Sequence, residues 1–213
     1  MIENKLSRSF GHEKLENPSY EDLVDVFEDL WKGHIIEPAK LLLENENCEL
    51  AVTTLLSSYF EAVEIYLSGT TSNGKSGEYF VKGFCKVFNS NQTGIEILAG
   101  HFYKYVRCSL AHEGLLNFKV CYSLDIVRPV MGTYPRNKNG DLITSNGVSS
   151  ILINPKLILS AVERHLNQYI NELRADSTSQ QASYFQIIFN DQIGNKEGDL
   201  MVAATEDELF GNA

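Results

Sequence analysis

Ile95-Glu-Ile-Leu-Ala-Gly-His-Phe-Tyr-Lys-Tyr-Val-Arg-Cys-Ser-Leu-Ala-His-Glu-Gly114, followed closely by Phe118-Lys-Val-Cys-Tyr-Ser-Leu-Asp125, sets two periodicities side by side. In the first segment Ile95, Leu98, Phe102, Tyr105 and Ser109 recur at spacings of three and four, as one face of a helix does. Gly114 suits the left-handed position that ends such a helix. In the second segment Phe118, Val120, Tyr122 and Leu124 alternate with Lys119, Cys121, Ser123 and Asp125, which predicts a half-exposed strand. The fold follows from asking which of the two patterns the rest of the chain repeats.

Most of it repeats the helical one. Ser19 precedes Tyr-Glu-Asp22 as an N-cap with acids in the first turn, and Leu23, Phe27, Leu30 and Trp31 then share a face. Pro38 is expected to kink or break this helix, because proline removes a donor and crowds the preceding turn. Val52, Leu55, Leu56, Tyr59, Phe60, Val63 and Tyr66 form the stripe of a second helix that Gly69 can end, and Phe80, Phe84, Val87 and Phe88 mark a short third. Asn154-Pro155 is an N-cap with proline at the first helical position, and Ile158, Val162, Leu166, Tyr169 and Leu173 continue inward. The spacing predicts helices over about 19–45, 50–68, 78–88, 93–113 and 155–173.

Between the last two lie the strand at 118–124 and two further short strand candidates, 141–144 and 148–153, bracketed by Asn139-Gly140 and Asn146-Gly147. The chain therefore reads as mainly α: an antiparallel helical bundle with a small β insertion, about 117–153, before the last long helix. Residues 1–176 form the helical domain and 177–213 a C-terminal appendage. There Tyr184 to Phe189 and Leu200 to Ala204 are candidate arms of a hairpin, ahead of an acidic tail, 206–213.

Composition bounds the partners. Over 213 residues the net charge is −10, which argues against broad non-specific nucleic-acid binding. The charge is uneven. Residues 101–140 carry six basic side chains (Lys104, Arg107, Lys119, Arg128, Arg136, Lys138) against Glu113 and Asp125, whereas both ends of the chain are acidic. No apolar run approaches the roughly 18 residues that span a bilayer, and the polar N-terminus has no signal core, so no membrane partner is expected and the location is cytoplasmic. The cysteines (Cys48, Cys85, Cys108, Cys121) form no C-x-x-C pair and read as reduced thiols rather than a disulfide frame or zinc site. Gly69-Thr-Thr-Ser-Asn-Gly-Lys-Ser76 has the spacing of a phosphate-binding loop, but no apolar strand precedes it, so it is not read as one. No metal-ligand cluster is visible and no cofactor is expected. His34, His101 and His165 have no partner at ligand spacing.

The chemistry lies in Arg107 and His112. Arginine keeps its charge at any ordinary pH and histidine exchanges a proton near pH 7, so the pair can stabilise and protonate a reacting phosphate. The stretch Tyr105-Val-Arg-Cys-Ser-Leu-Ala-His-Glu-Gly114 resembles the signature of HEPN domains, an arginine followed after four to six residues by histidine near a helix end in an all-α bundle. Cys108 departs from that pattern, since family members often place a polar residue there. The resemblance implies a HEPN-like bundle and, in active members, a metal-independent endoribonuclease of toxin–antitoxin or defence type, with two such motifs meeting in a homodimer. RNA and an antitoxin or neighbouring-gene protein are the implied partners. Arg107 and His112 are then the catalytic residues, and Lys104, Cys108 and Ser109 the substrate-binding ones. Arg107 and His112 are five apart, about 140° around an ideal helix, a separation that a dimer or an unwound helix end could overcome. Glu61 and Glu64 are candidate acidic partners for Arg107, or part of a solvated face. A non-catalytic module for dimerisation, nucleotide binding or partner docking is the alternative. A hydrolase using Cys108 with His112, one turn apart, lacks a third orienting residue.

Overall fold

A computed structural model describes residues 6–89, 94–145, 147–193 and 211. The helices are α1 (Tyr20–Trp31), α2 (Glu37–Leu43), α3 (Glu49–Ser57), α4 (Tyr59–Ser68), α5 (Ser76–Phe88), α6 (Ile95–Phe102), α7 (Ser109–Glu113), α8 (Pro155–Ala175) and α9 (Gln180–Ile193). A short 3-10 turn, His12–Leu15, precedes them. The sheet is β1 (Val120–Tyr122), β2 (Val130–Thr133) and β3 (Ser150–Ile153). The protein is thus mainly α-helical and bundle-like, with a small β-element before α8.

Local chemistry explains where the long helices begin. Ser19 accepts from the Asp22 amide while Asp22 accepts from the Ser19 amide, a reciprocal cap on α1. Asn154 caps α8 by accepting from the Leu157 amide, and its own amide group donates to the Leu124 and Ile126 carbonyls. That one side chain ties the β-element to the helix after it.

Pro38 does not break its helix. A π-turn, Lys32–Ile36, joins α1 to α2, and the Glu37 amide donates to the Lys32 carbonyl. Widening the turn just before the proline relieves the crowding that a regular helix would suffer there.

Two aromatic clusters hold the bundle. Phe27 packs edge-on against Tyr66, Tyr169, Phe185 and Phe189, which joins α1, α4, α8 and α9. Phe60 of α4 meets Phe80 and Phe84 of α5 and Phe102 of α6 with ring centroids 5.1–5.7 Å apart. All four of these phenylalanines are fully buried, and each contributes about 1.5–3 kcal/mol of hydrophobic burial. The segment Glu49–Ser68 is apolar and long enough, by composition, to cross a membrane. Here Val52, Leu56, Tyr59, Phe60, Val63 and Tyr66 are buried in the core.

The sheet runs β1-β3-β2, with β1 parallel and β2 antiparallel to β3. Its paired rows Val120/Ile151/Gly132 and Tyr122/Ile153/Val130 alternate with the row Cys121/Leu152/Met131.

Several expectations need correction. The strand expected over 118–124 is only Val120–Tyr122, and Phe118, Tyr122 and Leu124 are exposed, with only Val120 buried. The alternation is real, but too little of the bundle lies beneath it. Residues 141–144 form no strand: Leu142 makes an isolated bridge to Arg136 inside a turn held by Asn137 and Gly140. The third strand is instead Val130–Thr133. Tyr184 to Phe189, expected as a hairpin arm, is helical, because Ala182, Phe185, Ile188 and Phe189 at helical spacing face α1 and α4. Its proposed partner arm, Leu200 to Ala204, and all of the acidic tail but Gly211 lie outside the described residues.

Gly83 in α5 packs directly against the α4 backbone. A Cβ there would sit 1.8 Å from the Phe60 carbonyl oxygen of α4. Gly100 in α6 has nothing within 4 Å of an added Cβ. Gly83→Ala should lower stability by about 2 kcal/mol or more despite alanine's better helix propensity, while Gly100→Ala should be neutral or stabilise by up to ~1 kcal/mol. Urea unfolding of the two variants checks this, and equal effects would contradict the packing.

Candidate functional site

Arg107 sits on a second π-turn, Tyr103–Cys108, between α6 and α7. The widened turn aligns residues five apart, so Tyr103 and Cys108, offset on an ideal α-helix, come together. Burial, and then a hydrogen bond with Cys108, push the Tyr103 phenol above its ordinary value. The Arg107 guanidinium lies 5.9 Å from the Tyr103 ring centroid. It also donates to Glu61 Oε2 at 3.3 Å. The other Glu61 oxygen accepts from Ser72 Oγ at 2.8 Å. The site thereby joins α4, the loop before α5, and the π-turn.

Glu61 is thus the acidic partner of Arg107, as its place one residue after Phe60 allows. Glu64 is not: it is buried and pairs with Lys86 at 2.6 Å. Neither Tyr103 nor Ser72 stands out in the sequence, and the contact of the 69–77 loop with α4 carries no signature there.

The remaining candidates divide. His112 is exposed on the last turn of α7, ahead of Gly114 in the left-handed conformation at φ +71°. No hydrogen bond or ion pair joins it to Arg107 among the described residues. Neither is sealed in the core. Ser109 is buried, which removes it from direct contact with a ligand. Cys108 is partly buried against Tyr103.

Lys104 is exposed and belongs to a different group, centred on Tyr105. The Lys104 and Lys119 ammonium groups lie 5.5 and 5.3 Å from the Tyr105 ring centroid, and His101 stacks on the same ring at 5.3 Å. Burial, and then the Lys119 and Lys104 charges, hold the His101 imidazole below its ordinary value. A phenol flanked by two ammonium groups can stack on a planar ring beside an anion.

The basic segment is not one patch. Lys104 and Lys119 share Tyr105, Arg107 is matched by Glu61, and Arg136 donates to the Gly140 carbonyl. Among the described residues no three His, Cys, Asp or Glu side chains converge as a metal site. No protein-family model, curated protein or solved structure matches this chain.

The Arg107–Glu61 pair is half-buried, with side-chain exposures of 30% and 14%. A double-mutant cycle with Arg107→Gln and Glu61→Gln should give a coupling of about 0.5–1 kcal/mol at low salt. The coupling should shrink as salt screens the pair. A zero coupling at low salt would mean that Glu61 does not fix Arg107.

Proposed function

We propose that this chain is a HEPN-like, metal-independent endoribonuclease that acts as a homodimer. The observation that supports it most is the π-turn: the signature arginine lies on a widened helical segment, held by Glu61 and Tyr103 yet still partly exposed, and the signature histidine stands free on the next turn. Such turns recur at functional positions because they re-aim side chains at some cost to helix regularity.

The reaction is transesterification. A ribose 2′-hydroxyl attacks the adjacent phosphorus, the bond to the 5′-oxygen breaks, and a 2′,3′-cyclic phosphate and a 5′-hydroxyl result. Arg107 binds the non-bridging oxygens and stabilises their growing charge through its planar fork of donors. Glu61 is a positioning residue: it orients the guanidinium and is displaced in part when phosphate arrives. His112 takes the proton from the 2′-hydroxyl or gives one to the leaving oxygen. Arg107 of one copy and His112 of the other supply the two halves, since within one chain Arg107 is paired with Glu61 and no hydrogen bond joins it to His112 among the described residues. The Lys104–Lys119–Tyr105 group offers charge and a ring for the flanking nucleotides. Cys108 turns inward to Tyr103, so it shapes the turn rather than touching the substrate.

A second reading, a non-catalytic dimerisation or partner-docking module, is favoured by one feature. Leu115, Phe118, Leu124 and Val127 are exposed around the β-element, an apolar surface that association would cover.

Purified protein should cleave single-stranded RNA in EDTA, spare DNA, and leave a 2′,3′-cyclic phosphate. Arg107→Ala and His112→Ala should each lower the rate by about 10²-fold or more. Arg107→Lys should not restore it, since a point charge lacks the bidentate fork. Light scattering should give the mass of a dimer. A dimer with no cleavage of any RNA would establish the docking module instead, and undiminished cleavage by His112→Ala would refute the mechanism.

A further inference from the structure

A groove of about 540 Å³ lies away from Arg107, between the end of α5, the start of α6, the segment before β2, and the first turns of α8. Its floor is apolar: Phe84, Phe88, Ile95 and Leu98 line one side, and Leu157 and Ala161 the other. Phe88, Ile95 and Leu98 are only partly covered by the fold. Its walls carry two guanidinium groups, Arg128 from the loop and Arg164 from α8, both exposed. Leu157, Ser160, Ala161 and Arg164 follow the three-and-four spacing of one helical face, so α8 presents apolar floor and charge together.

Two of the chain's six arginines line this groove. The chain has a net charge of −10, and two of the other arginines are matched to acids: Arg107 to Glu61, and Arg174 to Asp25 and Glu28. Glu163, the neighbour of Arg164, is taken by Lys40 at 2.6 Å. Among the described residues neither Arg128 nor Arg164 has an ion pair, and no carboxylate lines the groove. Two arginines that line one cavity, with no acid among its described lining residues, suit an anion held between them. The size falls in the ~300–1,000 Å³ range of small-molecule sites, and an apolar floor with a few convergent polar groups is their usual build.

We propose that this groove binds a small phosphate monoester of a ring-bearing alcohol. The ring lies on Phe88, Ile95 and Leu98, and the phosphate spans Arg128 and Arg164. A phosphate monoester carries close to two negative charges at pH 7 and offers three acceptor oxygens, which matches two guanidinium forks. A carboxylate brings one charge and leaves one arginine unmatched. This site is independent of the Arg107–His112 reading and stands if that reading fails.

Isothermal titration of the full chain at pH 7.5 with 1-naphthyl phosphate, 1-naphthol, inorganic phosphate and decanoate tests the proposal. The naphthyl phosphate should bind at least tenfold more tightly than each of the other three. The double variant Arg128→Ala/Arg164→Ala replaces two exposed side chains, and circular dichroism checks that it folds. It should lose at least tenfold in naphthyl phosphate affinity, while Arg136→Ala, at an exposed arginine that does not line the groove, should bind as the unaltered protein does. Absence of naphthyl phosphate binding, binding unchanged in the double variant, or equal binding of decanoate would each overturn the proposal.

Discussion

Two helices meet backbone to backbone where the hydrogen-only side of Gly83 rests against the Phe60 carbonyl oxygen. Any larger residue at 83 would push α5 from α4. Because the backbones meet there, Phe60 reaches Phe80 and Phe84, and Phe102 closes the cluster from α6. The position of Arg107 follows from this contact. Glu61, the residue after Phe60, leaves the core on the side where the chain continuing from Phe102 carries Arg107 past it. One hydrogen atom in place of a methyl group thus sets the distance between a carboxylate and the guanidinium it holds.

The second constraint is the pair of π-turns. Each interrupts a helix that the hydrophobic spacing alone would run straight through. At Lys32–Ile36 the turn accommodates Pro38. At Tyr103–Cys108 no proline demands it, and the extra residue in the turn sets Cys108 against Tyr103 and Arg107 over the same ring. A regular helix would make better hydrogen bonds but would turn Cys108 away from Tyr103. Its interruption at the segment carrying Arg107 gives the site its shape, with the guanidinium held between the Tyr103 ring and Glu61.

The helices were legible because they announce themselves locally. Ser19 and Asn154 cap as their side chains dictate, and the apolar spacing of α4, α5 and α8 largely matches what is buried. In α6, by contrast, the expected Ile95 and Leu98 are only partly covered, and Ala99 and Phe102 are the buried residues. What lay hidden was set by tertiary contact. Val130–Thr133 becomes a strand only because Ser150–Ile153 offers it an edge. Tyr184 to Phe189 carries both a two-residue and a helical pattern, and the apolar faces of α1 and α4 decide between them. Glu61 was legible as a candidate partner, whereas its choice over Glu64 depended on where Lys86 falls on α5. The groove of Arg128 and Arg164 had no sequence signal at all, since its walls come from segments far apart in the chain.

The central claim is that Arg107 and His112 act on one phosphate. Isotope-labelled protein titrated with a cleavage-resistant 2′-O-methyl RNA tests it through the ring signals of His112. The account predicts that these signals move as RNA binds to the unaltered protein and stay in place in Arg107→Ala at the same occupancy. RNA that binds while the His112 signals stay unmoved, or that moves them equally without Arg107, would contradict it.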